Sequence, residues 1–150
     1  MPVSTLVHSP IQVLSCHRYN IKMASQLYGL SPDEKCELKL EFEALYSSNF
    51  IQKDSKGCHI WGGAGVYGRK RVTINGKSFR VGAHTLSFFL SHEEVETDPG
   101  LEVSHLCHQK KCVRPDHLSM ETKSTNNRRK QCVADGTCSG HGNFANCILG

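Results

Sequence analysis

Hydrophobic residues recur at helical spacing after residue 30. The segment begins with a helix-start pattern, in which Ser31 is the cap, Pro32 takes the first helical position and Glu34 stands three residues after the cap. Apolar side chains then follow the period of one helix face, at Leu38, Phe42, Leu45 and Tyr46. The pattern predicts an amphipathic helix of about four turns that packs on a core and ends before Asn49.

The pattern changes to strands in residues 58–81. Polar and apolar residues alternate on both sides of Asn75-Gly76, the pair that most strongly indicates a two-residue hairpin turn. We therefore predict a hairpin with strands at 69–74 and 77–81, preceded by a strand from Cys58 to Trp61. The apolar run at 83–90 predicts a buried helix.

The last third of the chain predicts two more strands and a helix. The strands run from Leu101 to His105 and from His117 to Glu121, and the helix is capped by Thr122 or Ser124 and continues through 126–131. We expect an α+β fold with antiparallel sheets and short helices. Residues 1–30 show no strong period and are expected to form an arm or irregular lead-in, with 31–150 as one domain.

The composition indicates that such a domain needs an additional staple. Only 38% of the residues are hydrophobic and 7% are aromatic, which gives a lean core. Eight cysteines are present, five of them in the last third among histidines. An even number is compatible with disulfides in a secreted protein, but the first residues lack the basic start and apolar run of a signal peptide. We therefore expect metal sites, no secretion, and no membrane span, because no apolar stretch is long enough.

Two groups of cysteine and histidine have the spacing of zinc ligands. Zinc prefers a tetrahedron of thiolates and imidazoles, and short loops let successive ligands converge on one ion. The first group has three members with four residues between successive ligands, Cys107, Cys112 and His117, and Cys58 is the natural fourth donor. The second group is Cys132, Cys138, His141 and Cys147. Closed sets of four ligands are typical of structural rather than catalytic zinc.

Two residues between these ligands can carry chemistry. His105 ends a predicted strand and Asn126 lies on the following helix, so a small ββα unit is expected to bring them face to face. A neutral imidazole can take a proton from water, and an amide oxygen can hold a hard divalent cation. Such a pair can hydrolyse a phosphodiester.

The charge distribution adds a weaker indication. The net charge is +4 and the pI is about 8.6. Basic runs at 69–71 and 128–130 are separated from acidic stretches, which suits a face turned toward phosphates, although such runs are also typical of ordinary solvated surfaces.

These residues together resemble a known family. The last third of the chain resembles the His-Cys box homing endonucleases. The matching residues are the segment from His105 to His108, then Cys112, Pro115, His117-Leu118 and Asn126, and the trailing Cys/His set. These enzymes are intron-encoded members of the wider His-Me finger (ββα-metal) nucleases. The resemblance is dense over 101–147, thinner over 58–90, where Cys58, Tyr67-Gly68-Arg69 and His84 occur in similar order, and absent over 1–50.

The resemblance implies a role for each matched residue. His105 would be the general base, and Asn126 would hold one catalytic Mg²⁺, with the adjacent Asn127 leaving the register open. The two Cys/His groups would each hold a structural Zn²⁺. The spacing of the second group is not rigid in the family, so another donor could replace His141 there. An arginine that contacts the scissile phosphate would be Arg69 or, on the same strand face, Arg71.

The implied function is a site-specific endonuclease of the homing type that leaves 5′-phosphate and 3′-OH ends on double-stranded DNA. It would act as a homodimer in the nucleus and read the major groove with a β-sheet. The predicted DNA contacts are Arg69, Arg71, Thr73, Asn75, Lys77, Arg128 and Arg129.

Two alternatives remain open. One is a non-catalytic, zinc-stabilised DNA-binding protein, which would need neither His105 nor Asn126. The other is a less specific His-Me finger nuclease that acts in defence or DNA degradation.

Overall fold

The computed structural model of the protein describes residues 27, 30–92, 98 and 100–150. Within these ranges the chain has an α+β fold, as predicted, with six strands in three two-stranded antiparallel sheets. The elements in chain order are α1 Pro32–Ser47, β1 Ile51–Lys53, β2 His59–Trp61, β3 Arg69–Ile74, β4 Lys77–Gly82, α2 Ala83–Ser91, β5 Leu101–His105, β6 Leu118–Thr122 and α3 Lys123–Asp135.

The predicted arm over residues 1–30 lies outside the described residues, apart from Leu27 and Leu30, whose side chains are buried in the core. None of the helices in the described ranges is long and apolar enough to cross a membrane.

Helix α1 forms as its sequence predicts. The Ser31 side chain accepts from the backbone N–H of Glu34, while the Glu34 carboxylate accepts from the backbone N–H of Ser31, which completes a capping box. Leu38 and Phe42 are buried, and the apolar residues of the next turn pack against the same core. Cys36, in the second turn of this helix, is disulfide-bonded, whereas the other six cysteines in the described ranges are free.

Strands β3 and β4 form the predicted hairpin. Asn75 and Gly76 both have positive φ, at 50° and 73°, as a two-residue turn that matches the twist of the strands requires. Ile74 pairs with Lys77, and Val72 and Ile74 are buried on one face of the hairpin. The alternation of residues along the strand therefore separates a core face from an exposed face.

Trp61 at the end of β2 is the centre of an aromatic cluster. Its ring centroid lies 6.0 Å from that of Phe42 and 4.9 Å from that of Phe50. Gly68 passes so close to the indole that a Cβ at this position would lie 2.6 Å from Trp61 Cγ. This position therefore requires glycine, and the start of the hairpin is held against the core.

The ββα unit consists of β5, β6 and α3. In its antiparallel register His105 pairs with Leu118. The Thr122 side chain caps α3 by accepting from the backbone N–H of Thr125 at 3.2 Å. One boundary differs from the prediction: His117 ends a short 3₁₀ helix, Pro115–His117, and β6 begins at Leu118, since the proline favours a turn before the strand.

A buried ion pair joins α3 to β6. Arg129 is 1% exposed and donates two hydrogen bonds to the Glu121 carboxylate, Nε to Oε1 at 2.7 Å and Nη2 to Oε2 at 2.5 Å. Ser104 Oγ also donates to Oε1, and Arg129 Nη1 donates to Cys147 Sγ at 3.5 Å. The charges are thus satisfied on several sides, as burial requires.

We predict that Arg129→Ala lowers the free energy of unfolding by about 3 kcal/mol or more, because it leaves the Glu121 carboxylate buried without its counter-ion. Denaturant-induced unfolding of the zinc-loaded protein measures this loss. The matched control is Arg128→Ala, since Arg128 is exposed and its loss should cost less than about 0.5 kcal/mol. Equal effects of the two substitutions would contradict the structural role of the pair.

Candidate metal centres and active site

The structure brings together the four residues of the first predicted zinc group. The ligand atoms of Cys58, Cys107, Cys112 and His117 all lie within 4.8 Å of one another. His117 Nδ1 is 3.5 Å from Cys58 Sγ and 3.6 Å from Cys112 Sγ. The group therefore joins the β1–β2 turn to the loop between β5 and β6.

Backbone hydrogen bonds hold this loop beside β2. Val113 N donates to His59 O at 2.8 Å, and Trp61 N donates to Lys111 O at 2.9 Å. Cys112, between these two contacts, forms an antiparallel bridge with Ile60. The ligands thus extend from a framework that the backbone fixes on both sides.

The chemistry of this donor set suits Zn²⁺. A hydrogen bond from the Cys107 thiol lowers the pKa of Cys112 to about 5, whereas burial raises the pKa of Cys58 to about 11. Negative charge on one sulfur therefore opposes charge on its neighbours until a cation compensates for it. Three sulfurs and one imidazole nitrogen are donors that zinc prefers in its tetrahedral sites, and this group could hold the ion.

The second predicted group also forms. The ligand atoms of Cys132, Cys138, His141 and Cys147 lie within 4.8 Å of one another. His141 Nε2 is 3.4 Å from both Cys132 Sγ and Cys147 Sγ. The left-handed cap at Gly136, with φ of 69°, ends α3 and lets the chain return toward Cys132.

Backbone amides stabilise a thiolate in this second group. Cys147 N donates to Cys138 Sγ at 3.3 Å, and hydrogen bonds from the backbone of Cys147 and Gly140 lower the pKa of Cys138. Ile148 N donates to Leu106 O at 2.8 Å, so the tail after this group returns to the loop that carries the first group. The second set of donors could therefore also hold zinc.

His105 lies at the end of β5, beside the first group. Its Nε2 is 3.0 Å from the carbonyl oxygen of Cys112. Because a carbonyl only accepts, Nε2 must carry the hydrogen, and this leaves the lone pair of Nδ1 as the acceptor. Burial and the neighbouring His84 lower the pKa of His105 to about 4, so the imidazole is neutral at neutral pH.

Two ring side chains from outside β5 lie beside this imidazole, and one of them contacts a lysine. The His84 ring, in the first turn of α2, has its centroid 4.5 Å from that of His105, and Tyr67 lies at 6.3 Å. Lys110 Nζ is 5.7 Å from the centroid of the Tyr67 ring. From the sequence, only the order of Tyr67-Gly68-Arg69 and His84 indicated residues near His105. No signal in the sequence indicated Lys110.

Asn126 lies in the first turns of α3 and contacts the strand that carries His105. Its Nδ2 donates to Oε1 of Glu102 in β5 at 2.6 Å. Asn127 instead is exposed and accepts from Lys130 Nζ at 3.1 Å. Of the two asparagines, Asn126 is therefore the one that faces β5. Within the described ranges no hydrogen bond joins His105 directly to Asn126, and the connection between them runs through this strand.

The hairpin presents a basic face to solvent. Arg69, Arg71 and Thr73 are exposed on β3, and across the hairpin Arg71 pairs with Arg80 and Thr73 with Ser78. Residues that pair across strands share a face. Arg80 therefore joins the predicted basic residues, although the sequence prediction omitted it.

Other predicted DNA contacts are placed differently. Asn75 is exposed in the turn, and Lys77, also exposed, pairs with the buried Ile74 on the opposite side of the hairpin. Arg128 is exposed on α3 and donates to Thr125 Oγ1 at 3.4 Å. The prediction that Arg129 contacts DNA must be corrected. Its guanidinium is buried in the ion pair with Glu121, so it is a structural residue and does not face a ligand.

A comparison with known protein families agrees with this geometry. Residues 49–147, or 99 of the 150, match a family model described as the zinc-binding loop region of homing endonuclease. The matched range contains both Cys/His groups, His105 and Asn126. The chain therefore belongs to the family defined by the zinc-binding loop region of homing endonucleases.

Proposed function

We propose that the protein is a zinc-stabilised, Mg²⁺-dependent endonuclease that cuts double-stranded DNA at specific sites. The observation that carries this proposal is the 3.0 Å contact between His105 Nε2 and the Cys112 carbonyl, which orients Nδ1 as an acceptor. Binding zinc or DNA does not need a histidine held in one tautomer. A general base does, because its acceptor nitrogen must face the proton that it takes.

In this mechanism His105 Nδ1 accepts a proton from a water molecule as the water oxygen attacks the scissile phosphorus. The bond from phosphorus to the 3′ oxygen breaks, which leaves a 5′-phosphate and, after protonation of the leaving oxygen, a 3′-OH. The Cys112 carbonyl holds the imidazole during this transfer, and the proton on Nε2 stays in place.

Asn126 is the proposed residue for holding Mg²⁺. Its amide oxygen is a hard, neutral ligand atom of the kind that a small divalent cation accepts. When bound, Mg²⁺ stabilises the charge that builds on the phosphate and on the leaving oxygen.

The exposed face of the hairpin is the proposed DNA-reading surface. A two-stranded ribbon fits the major groove, and Arg69, Arg71 and Arg80 supply cations on one face. We further propose that the protein is a homodimer, in which two active sites cut the two DNA strands. We also propose that it acts in the nucleus, where double-stranded DNA is found.

We predict about two zinc ions per chain, one for each Cys/His group, by elemental analysis of the purified protein. Cys58→Ala and Cys138→Ala should each lower the content to about one, because a site with three remaining ligands holds zinc more weakly. Ser139→Ala, next to Cys138 and exposed, is the matched control and should keep both ions. A wild-type value near one would overturn the assignment of one group.

We predict that the protein with Mg²⁺ converts plasmid DNA into discrete fragments and that His105→Ala lowers the rate by about 100-fold or more. This variant should retain both zinc ions, which separates loss of the base from loss of the fold. Asn126→Ala should also lose cleavage, while Asn127→Ala should cut normally.

The product pattern distinguishes the alternatives. A smear that requires His105 would support a less specific His-Me finger nuclease. The wild-type protein is also tested with several divalent ions and a range of DNA. If it binds DNA but never cuts it, the proposal of an enzyme is wrong and the protein is a zinc-stabilised DNA-binding protein.

We predict that Arg71→Ala and Arg80→Ala each weaken duplex binding and reduce the slope of log K against log salt by about one. Fluorescence anisotropy at several salt concentrations measures both quantities. Lys39→Ala is the control, since α1 lies on the other face of the hairpin, where Glu41 pairs with Lys70 at 3.0 Å. Equal salt slopes for all four proteins would exclude this hairpin face as the binding surface.

A further inference from the structure

We infer that Glu102 is a positioning residue for the proposed cation site and orients the side-chain amide of Asn126. The inference rests on the proposed function, because it takes Asn126 as the residue that holds the cation. Glu102 has no place among the catalytic or metal-binding residues that the sequence indicates, and its role follows from its contact with α3.

The contact defines which way the amide points. Asn126 Nδ2 lies 2.6 Å from Glu102 Oε1. An ionised carboxylate has only acceptor sites, so the amide nitrogen must face it and the amide oxygen must take the other side. The half-turn that exchanges these two atoms would break a charge-assisted hydrogen bond, which is roughly twice as strong as a neutral one. Glu102 thereby leaves Oδ1 available to a cation.

The charges on β5 and β6 support the same assignment. Glu102 pairs directly with Glu121 across the two strands, so two carboxylates share one face of the sheet. Arg129 and Ser104 compensate for the charge of Glu121. Among the described residues, Glu102 has no basic partner, and its polar contact is the Asn126 amide. Within the described ranges, therefore, no basic side chain competes with the Asn126 amide for this carboxylate.

Mn²⁺ is the probe for this inference, because it replaces Mg²⁺ at oxygen ligands and its binding is visible by electron paramagnetic resonance. The zinc-loaded full chain is titrated with Mn²⁺. We expect Glu102→Ala to weaken binding about 10-fold or more, the range found for residues that orient a metal ligand. Glu102→Gln should restore most of the affinity, since its carbonyl oxygen still accepts from Asn126 Nδ2. Glu43→Ala, an exposed carboxylate of α1, is the control for general loss of charge.

A second readout needs no metal beyond zinc. In proton–nitrogen correlation spectra, one proton of the Asn126 side-chain amide should be shifted downfield by its hydrogen bond. The shift should be lost in Glu102→Ala and largely kept in Glu102→Gln. The Asn126→Ala spectrum identifies the resonance.

The outcomes separate this inference from the proposed function. If Asn126→Ala leaves Mn²⁺ binding unchanged, the proposed cation site is wrong. If Asn126→Ala weakens binding but Glu102→Ala does not, the site stands and the positioning role fails. Glu102→Gln as weak as Glu102→Ala would also overturn positioning, because the carboxylate charge itself would then be what matters.

Discussion

The ion pair between Arg129 and Glu121 is the interaction on which the ββα unit depends. It fixes α3 against β6, and through Ser104 it reaches β5 at the residue before His105. Through Arg129 Nη1 it also reaches Cys147 of the second Cys/His group. Buried charges cost several kcal/mol unless their partners are well placed, so this arrangement tolerates little displacement. The position of β5, which carries His105, and that of the second group are consequently coupled by one guanidinium.

The first Cys/His group imposes a comparable constraint from the other side of the strand. Cys112 has two separate contacts: its sulfur belongs to the group, while its carbonyl oxygen accepts from His105 Nε2. A metal that holds the sulfur would also hold the carbonyl, and hence the tautomer of the imidazole. The sequence separates the zinc ligands from the residues proposed for chemistry, but Cys112 contacts both the first Cys/His group and His105.

Local patterns predicted the elements, and long-range contacts explain what the sequence could not show. The capping box of α1 and the turn at Asn75-Gly76 depend on neighbouring residues, so their residue types sufficed. The two Cys/His groups were predictable because zinc ligands have characteristic spacing.

Strand β1 was missed because its three residues are too few to show a period. Arg129 was misassigned because a run of three basic residues resembles a solvated helix surface, and its burial depends on Glu121 in another element. Arg80 could have been found, since the predicted two-residue turn already pairs it with Arg71.

The lean core positions the candidate site by placing several of its residues next to packed ones. Gly68 lies against Trp61, and its carbonyl accepts from Ala83 N at 2.9 Å, so the hairpin and α2 meet at this point. Tyr67 precedes this glycine and Arg69 follows it, while His84 follows the fully buried Ala83. His105 likewise follows the buried Ser104. Because a Cβ at residue 68 would overlap the indole, a side chain there must move both the hairpin and the start of α2. Packing at this one glycine is thus transmitted to the residues that surround His105, although Gly68 itself has no chemical role.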